Sequence, residues 1–306
     1  MPQIFTFGET VYDIIFKNNK PVAAKAGGSM LNTSVSLGRL GMKVNFVSDM
    51  GRDFIGDTIV SFLAENGVST KAIAQYENRK TAIAIAFLND DNDASYTFYK
   101  DFPDNRLPTV NPEFNEGDIV LFGSFFALAE NLRPVLMKFL RKAREAGCII
   151  IYDPNFRKAH LHEIDALKPF IIENIGLSDL VRGSDEDFNL IFGAENSDDA
   201  FQIVLKYGCA NLIYTANRNE VLMMSPDYKV TSQVPAITPL STIGAGDNFN
   251  AGIIWTLVRN ELTVKDMGHL NERLMEKIIG NGISFASEVC MSYDNYVSRE
   301  FAAGLL

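Results

Sequence analysis

Short apolar runs alternate with amphipathic, helix-like segments along most of this chain of 306 residues. The runs "IFTFG", "VNFVS", "DIVLFGS" and "CIIIYDPN" have the character of strands, while "NTSVSLGRLG" and "ENLRPVLMKFLRKAREAG" have helical spacing. A strand that is apolar throughout is buried on both faces, and helices between successive strands favour parallel pairing. The pattern therefore predicts an α/β fold in three layers, with a mostly parallel central sheet between two layers of helices.

Two segments depart from this alternation. Thr10–Asn18 and Lys80–Lys100 alternate like strands, and the second resembles a hairpin. We expect a small β-element, made from about residues 10–25 and 78–105, inserted into a single domain that spans residues 1–306. Such an element can be a lid over a site or an antiparallel extension of a sheet edge, and the pattern supports both interpretations.

Charge and composition narrow the possible partners. The formal net charge is −10 and no basic cluster occurs, which argues against a nucleic-acid ligand. No apolar run reaches the roughly 18 residues of a membrane span, and "MPQIFTFGE" lacks the pattern of a signal peptide. Three widely spaced cysteines favour a reducing compartment. We therefore expect a cytoplasmic protein with no membrane and no nucleic-acid partner.

A glycine cluster, "STIGAGDNFNAG" (Ser241–Gly252), stands directly before an apolar, helix-like run. Glycines at a helix N-terminus leave N–H groups free to face an anion, and a carboxylate there can take a proton from a group attacking that anion. The structural alternative is that Asp247 caps the helix while the glycines ease a turn. The cluster alone is therefore consistent with an anion site or with a plain helix start.

Two further stretches carry polar residues that suit a ligand. "AGGSMLNTSVSLGRLG" (Ala26–Gly41) combines glycines, for close backbone approach, with Asn32, which offers a donor and an acceptor. Its structural alternative is a helix entry capped by Ser29 or Asn32. "YDPNFR" (Tyr152–Arg157) is consistent with either a turn or a site for metal, water or phosphate.

These stretches together resemble the paired signatures of the PfkB (ribokinase-like) family of carbohydrate kinases. "GGSMLNTSVSLGRLG" followed by "VSDMGRDFIGD" resembles the N-terminal signature, and "STIGAGDNFNAG" resembles the C-terminal one, in the expected order. The P-loop motif GxxxxGK[ST] is absent, so the phosphate cradle is of another kind. The resemblance covers essentially the whole chain. It implies a ribokinase-like fold with a β-lid, and ATP- and Mg²⁺-dependent phosphorylation of a sugar hydroxyl.

The resemblance also implies roles for individual residues. Asp247 matches the general base, which takes the proton of the attacking hydroxyl. The other implied positions are the anion-hole N–H groups of Gly244, Ala245 and Gly246; sugar contacts at Asp13, Gly28 and Asn32, with Arg157 near the sugar or the transferred phosphate; nucleotide contacts at Ser184, Thr215 and Asn281; and Mg²⁺, through water, at Asp187.

Three departures from the family pattern bear on ion and nucleotide binding. Ser241 stands where many members have an Asp that helps to bind a monovalent cation, which puts potassium activation in doubt. The family's Asn-x-x-Glu motif is Ser184 to Asp187 here, and Glu186 competes for the magnesium role. Asn217 and Glu220 replace glycines that commonly lie near the nucleotide phosphates.

The likeness of "FGETVYD" and "AGGSMLN" to fructokinase-type members favours fructose as substrate, giving fructose 6-phosphate. Ribose, 2-keto-3-deoxygluconate and nucleosides remain alternatives within the family. A non-catalytic, sugar-binding regulatory protein on the same fold is the alternative from another class. A lid of this kind can also serve as a homodimer interface, because exposed strand edges need covering.

Overall fold

The strands of the chain fall into two sheets, and the larger one is mostly parallel. The computed structural model describes residues 1–88, 94–107, 111–216 and 220–306. Numbered in chain order, the ten strands of the main sheet are β1 (Gln3–Phe7), β4 (Lys43–Gly51), β5 (Val68–Ser69), β6 (Ile73–Tyr76), β9 (Ile119–Gly123), β10 (Ile149–Asp153), β11 (Leu180–Ser184), β12 (Leu212–Ala216), β13 (Glu220–Met224) and β14 (Lys229–Gln233). Their order is β14-β13-β12-β11-β10-β9-β1-β4-β5, with β6 also paired to β4. Within the described part of this sheet, the antiparallel pairs are β12–β13 and β13–β14.

Helices cover both faces of the main sheet. They are α1 (Ser29–Arg39), α2 (Phe54–Glu65), α3 (Arg133–Glu145), α4 (Ile164–Gly176), α5 (Asp185–Phe192), α6 (Ser197–Lys206), α7 (Ala245–Arg259), α8 (Glu272–Cys290) and α9 (Arg299–Leu305). One buried apolar cluster joins the sheet to α1, α2, α7, α8 and α9, and a second joins its other face to α3, α4, α5 and α6. The predicted three-layer fold class is therefore confirmed.

The first strand shows how the sequence builds these layers. Successive side chains of a strand point to opposite faces. Accordingly Ile4 packs into one cluster, while Phe5 and Phe7 pack into the other. Thr6 shares the face of Ile4, and its buried hydroxyl pairs with Ser34 of α1 at 2.6 Å. A polar group is tolerated there because it has a hydrogen-bond partner.

A second sheet has four strands, β2 (Val11–Lys17), β3 (Lys20–Gly27), β7 (Ile83–Leu88) and β8 (Ala94–Tyr99), in the order β3-β2-β7-β8. These strands come from the two segments whose pattern departs from the α/β alternation. The register sets Asp13 directly opposite Lys25 on β3 and Ala84 on β7, so the three side chains share a face. The opposite face carries Ile14 and Ile85.

The main sheet brings several polar residues to one edge. In a parallel sheet the carboxyl ends of all strands lie on the same side, where ligands bind in open α/β folds. Asp153 ends β10, Ser184 ends β11 and Thr215 is the next-to-last residue of β12. The N-terminus of α7 lies at the same edge, because Asn250 reaches Asp153. In the described ranges, no helix is long and apolar enough to cross a bilayer.

Candidate active site

Helix α7 begins at a glycine that no other residue could replace without strain. Gly244, its N-cap, has φ 83° and ψ −3°, in the left-handed region. A Cβ added at Gly244 would lie 2.7 Å from the carbonyl oxygen of Asn295. The next N–H group, that of Ala245, makes a long hydrogen bond of 3.3 Å to Thr242, and the Gly246 N–H has no intrahelical acceptor. The first turn of α7 is therefore open to an anion.

Asp247 in that first turn is held by three residues of α1. Ser29 Oγ donates to Asp247 Oδ1 at 2.6 Å, and Asn32 Nδ2 donates to Oδ2 at 2.8 Å. Thr33 Oγ1 donates to the Asp247 backbone carbonyl at 2.7 Å. The carboxylate is thus fixed in one orientation, beside the N–H groups of its own helix.

The expectation that Ser29 or Asn32 caps α1 is wrong. The N-cap is Gly28, at φ 127°, and no side chain caps the helix. Gly28 is needed because a Cβ there would lie 2.5 Å from the Glu9 carbonyl oxygen. Ser29 and Asn32 are consequently free to face Asp247. The Asn32 Oδ1 atom is buried and has no hydrogen-bond partner in the part of the chain that the structure describes.

Asp13 lies at the same end of α1, on the second sheet. A Cβ on Gly27 would lie 2.1 Å from Asp13 Oδ2, so the carboxyl group packs directly over that glycine. Burial raises the pKa of Asp13 to about 6, and the nearby Lys25 ammonium opposes the shift. Gly28 follows Gly27 directly, and its carbonyl oxygen accepts from the Asn32 N–H at 2.9 Å, so all three predicted sugar contacts lie near the N-terminus of α1. Their contacts with a sugar stay a prediction.

A buried polar cluster lies beneath the first turn of α7. Arg182 donates to Asp153 Oδ2 and to Thr215 Oγ1, each at 3.1 Å. Asn250 of α7 donates to the same Asp153 oxygen at 2.6 Å. Burial raises the pKa of Asp153, against the lowering effect of the Arg182 guanidinium. A Cβ on Gly246 would lie 2.9 Å from Arg182 Nη1, so this cation lies immediately below the candidate anion site.

Sequence reasoning assigned no binding or catalytic role to Arg182, Asn250 or Ser29. Arg182 had a signal, since "LVRGS" places one charged side chain inside an otherwise apolar strand that is buried here. Charged residues are seldom buried without a partner. Ser29 and Asn250 had no comparable signal, because their partners lie 218 and 97 residues away along the chain.

Ser184 and Asp187 form a capping box at the start of α5. Ser184 is the N-cap, and Asp187 Oδ2 accepts from the Ser184 N–H at 2.8 Å and from its hydroxyl at 2.6 Å. Asp187 Oδ1 accepts from the Phe156 N–H at 2.7 Å. A carboxylate has about four lone-pair sites, so Asp187 can still accept a hydrogen bond from a water molecule.

This donor set fits a hydrated divalent cation. Within the described ranges, no group of three or more His, Cys, Asp or Glu side chains could hold a metal ion directly. Mg²⁺ usually keeps several waters and uses one or two carboxylates together with substrate phosphates. The Asp187 carboxylate lies close enough to Asp153 to help raise the pKa of Asp153. A water-mediated contact is therefore the mode that these residues suit.

Two other predicted site residues, Arg157 and Asn281, make no contact among the described residues that points to a ligand. Arg157 is exposed at the N-cap of a short 3₁₀ helix (Lys158–Glu163), and its side chain makes no hydrogen bond or ion pair to any described residue. Asn281 of α8 donates to Thr256 of α7 at 2.9 Å, which ties the two helices together. Their binding roles stay predictions.

Of the remaining residues that depart from the family pattern, the structure describes Ser241 and Glu220. The Ser241 hydroxyl accepts from the Ile243 N–H at 3.2 Å, within the turn that leads into α7. Glu220 begins β13, opposite Ala216. Asn217 lies outside the described residues.

The fold is ribokinase-like, with a mostly parallel sheet between two layers of helices. Comparison with known proteins gives the family: residues 1–274 match the family described as pfkB family carbohydrate kinase. The chain therefore belongs to the pfkB family of carbohydrate kinases, which use ATP.

Relatives and solved structures agree with this assignment. The fructokinase of Vibrio alginolyticus is 25% identical over 264 residues, covering 85% of each chain. That of Rhizobium leguminosarum bv. trifolii is 27% identical over 280 residues, covering 89% of this chain and 85% of the relative.

Two crystal structures share the fold. Aminoimidazole riboside kinase from Salmonella enterica, complexed with aminoimidazole riboside and an ATP analog, has a TM-score of 0.84 at 20% identity, covering 99% of this chain and 98% of its own. Fructokinase from Vibrio cholerae O395, in its fructose, ADP and calcium ion bound form, has a TM-score of 0.85 at 19% identity, covering 100% of this chain and 99% of its own.

Proposed function

We propose that the protein transfers the γ-phosphate of ATP to a primary hydroxyl of a sugar, and that the sugar is fructose, which gives fructose 6-phosphate. Asp247 takes the proton of the attacking hydroxyl. The first-turn N–H groups of α7, from Gly244 to Gly246, form the anion hole for the transferred phosphoryl group. Phosphoryl transfer depends mainly on positioning and on stabilising spread negative charge, and these residues supply both.

The observation that carries the proposal is the arrangement around Asp247. Ser29 and Asn32 hold its carboxylate in one orientation, and the buried Asn32 Oδ1 lacks a partner among the described residues. A buried acceptor without a donor is costly, so this atom points to a ligand that brings a hydroxyl group. Together with Asp13, it gives a sugar two acceptors beside the general base. Paired acceptors of this kind suit adjacent hydroxyls.

Positive charge supports the phosphate side of the site. The α7 macrodipole and the Arg182 guanidinium below Gly246 both favour an anion at the first turn. Mg²⁺, when bound with ATP, would offset phosphate charge, and Asp187 would hold it through water. Ser184 and Thr215, adjacent at the ends of β11 and β12, face the nucleotide in this proposal.

The choice of fructose is supported by the relatives' names. Several curated relatives over 85% or more of the chain are named fructokinase or probable fructokinase. They are about 25% identical, and the residues proposed to contact the sugar are compatible with other polyhydroxylated ligands.

A coupled ADP-release assay with Mg-ATP tests the proposal. The panel is fructose, ribose, 2-keto-3-deoxygluconate, adenosine and inosine, each with and without potassium. Turnover on fructose above all others is the expected result. Turnover confined to another member overturns the choice of sugar and keeps the kinase. The potassium arm shows what Ser241 changes.

Silence across the panel would be resolved by thermal shift, because a ligand that binds the folded state raises its melting temperature. A shift with fructose and none with ATP or ADP would replace the kinase by a sugar-binding regulatory protein on this fold. A shift with both ligands would keep the kinase and change the acceptor sugar.

We also propose that two copies pair through the second sheet. Its outer face carries Ile14, Phe16, Ile85 and Phe87, and the rings of Phe16 and Phe87 lie 5.3 Å apart there. Phe87 is 45% exposed, and exposed apolar patches mark interaction sites. Light scattering after size exclusion should give a dimer for the wild type and a monomer for Phe87→Glu. A wild-type monomer at micromolar concentration would contradict the pairing.

A further inference from the structure

We infer that Lys25, on the second sheet, is a positioning residue that couples this sheet to the anion hole of the proposed kinase reaction. The inference rests on the proposed function. Lys25 belongs to β3, but its ammonium group leaves the sheet and donates to Tyr293 O at 3.0 Å and to Asn295 Oδ1 at 2.9 Å. Both acceptors lie in the loop of residues 291–298 between α8 and α9, here called the C-terminal loop.

The ammonium group of Lys25 is partly buried and therefore needs its two acceptors. Burial lowers the pKa of its ammonium group, opposed by the carboxylates of Asp13 and Asp294. A partly buried ammonium group needs acceptors for its donors, and here the C-terminal loop supplies two. Asn295 is itself buried, so its side chain is held in place to receive Lys25.

The C-terminal loop in turn packs against the turn that begins α7. The Asn295 carbonyl oxygen accepts from Asn248 Nδ2 at 2.8 Å, and the same amide group donates to Gly244 O at 2.7 Å. A Cβ on Gly244 would lie 2.7 Å from that Asn295 oxygen, so loop and turn are in direct contact. The chain of contacts therefore runs from Lys25 through Asn295 to Gly244.

On its other side Lys25 faces the proposed sugar ligand. Asp13 is directly opposite Lys25 in the β2–β3 pair, and both side chains point to the same face. One lysine thus joins the strand that contacts the sugar to the loop that supports the anion hole. When the second sheet lies over the sugar, the two hydrogen bonds of Lys25 hold the Gly244 turn in its anion-binding conformation.

The test compares Lys25→Met, Lys25→Arg and Lys20→Met. Methionine keeps an apolar side chain and removes the donors, while arginine has donors for the same two oxygens. Lys20 is the matched control, because it lies on the same strand, is exposed and has no side-chain hydrogen bond or ion pair to any described residue. At saturating sugar, and at a pH well above the pKa of Asp13, Lys25→Met should lower kcat about 10-fold, the usual scale for hydrogen bonds from a charged donor.

Several outcomes separate positioning from other roles. The positioning role predicts an unchanged KM for ATP, recovery of most of the kcat in Lys25→Arg, and no effect of Lys20→Met. A rise in sugar KM at unchanged kcat would mean that Lys25 acts on sugar binding through Asp13 and not on the anion hole, and would overturn the inference. A kcat of Lys25→Met within about twofold of wild type, or a lower melting temperature at unchanged kcat, would also overturn it.

A second measurement keeps this inference separable from the proposed function. Amide hydrogen exchange in the C-terminal loop and the first turn of α7 needs no turnover. Lys25→Met should exchange faster there than wild type and Lys20→Met. Faster exchange in a protein that phosphorylates none of the panel and shows no thermal shift with ATP or ADP would leave the coupling intact and sink the kinase assignment. Unchanged exchange in an active kinase would keep the kinase assignment and overturn the coupling.

Discussion

Two regions that meet at the proposed active site differ in how firmly their polar groups are held. At the junction of α1 and α7, Asp247 is bonded to Ser29 and Asn32, and Asp153 is bonded to Arg182 and Asn250. In the second sheet, Val22, Phe98 and Tyr99 are more than half exposed, and Asp13 lies between a glycine and one lysine. Each carboxylate of the junction is therefore held by two side-chain donors, whereas the second sheet offers Asp13 few fixed partners.

The difference fits two kinds of task. Stabilising charge that develops during a reaction requires donors fixed beforehand, since fixed groups need no reorganisation when the reaction occurs. Covering a substrate requires an element that can separate from the core, and such elements come from the less stable parts of a fold. The contrast therefore predicts large effects on kcat at the junction and smaller, condition-dependent effects in the second sheet.

The largest effect should come from Asp247→Asn. The amide cannot take a proton but keeps the shape, so we expect kcat to fall by about 10²–10⁴-fold, the usual contribution of a general base. Steady-state ADP release measures the loss, and an unchanged melting temperature shows that the fold is intact.

The control for this variant is Asp227→Asn, in an exposed turn between β13 and β14, which should retain full activity. Near wild-type turnover in Asp247→Asn would remove the general base from the mechanism and leave the junction with a purely structural role.

Arg182→Met should have the next largest effect. It leaves Asp153 buried without its cation, and breaking a buried ion pair typically costs about 3–5 kcal/mol of unfolding free energy. Urea unfolding measures this loss, and kcat should fall too because the cation below Gly246 is gone.

The exposed Arg273→Met on α8 is the matched control and should be neutral. Arg182→Met/Asp153→Asn should recover part of the lost stability, since it removes the unpaired charge. A double variant no more stable than Arg182→Met would show that the cost arises from packing alone.

The same contrast explains what could be read from the sequence. The layers of the main sheet follow from local periodicity, and the first turn of α7 follows from one stretch of twelve residues, "STIGAGDNFNAG", so both could be predicted. The partners of that turn could not, because Ser29, Asn32 and Arg182 reach it from distant parts of the chain. Only the complete fold brings them within a few ångströms. The contact of Lys25 with Asn295 spans 270 residues and left no local pattern at all.

A third prediction concerns the turn at Gly244. Gly244→Ala places an L-residue at φ 83° and a methyl group 2.7 Å from the Asn295 carbonyl oxygen. Gly117→Ala is matched in backbone strain, with φ +85°, but its methyl group would meet nothing within 4 Å. The left-handed conformation alone costs about 1–2 kcal/mol. We expect Gly117→Ala to lose that much stability at unchanged kcat, and Gly244→Ala to lose more stability and also kcat. Equal losses in the two variants would mean that the contact between the C-terminal loop and the anion hole is unimportant.

The smallest effect should be a pH dependence that arises in the second sheet. Burial raises the pKa of Asp13 to about 6, and only its ionised form accepts hydrogen bonds from two sugar hydroxyls. Since kcat/KM reports groups of the free enzyme, kcat/KM for the sugar should fall about 10-fold between pH 7 and pH 5. Asp13→Asn should have a low kcat/KM that is flat over this range, and a wild-type profile equally flat would separate Asp13 from sugar binding.

The sign for stability is opposite to the sign for activity. A carboxyl group whose pKa is raised on folding, from 3.8 to about 6, favours the folded state while it is protonated, and that advantage is lost as the pH rises through about 6. Neutral and alkaline pH should therefore improve sugar capture while destabilising the strand that performs it. Asp13→Asn should be more stable than wild type at pH 8 and lose that difference at pH 4, as measured by thermal unfolding.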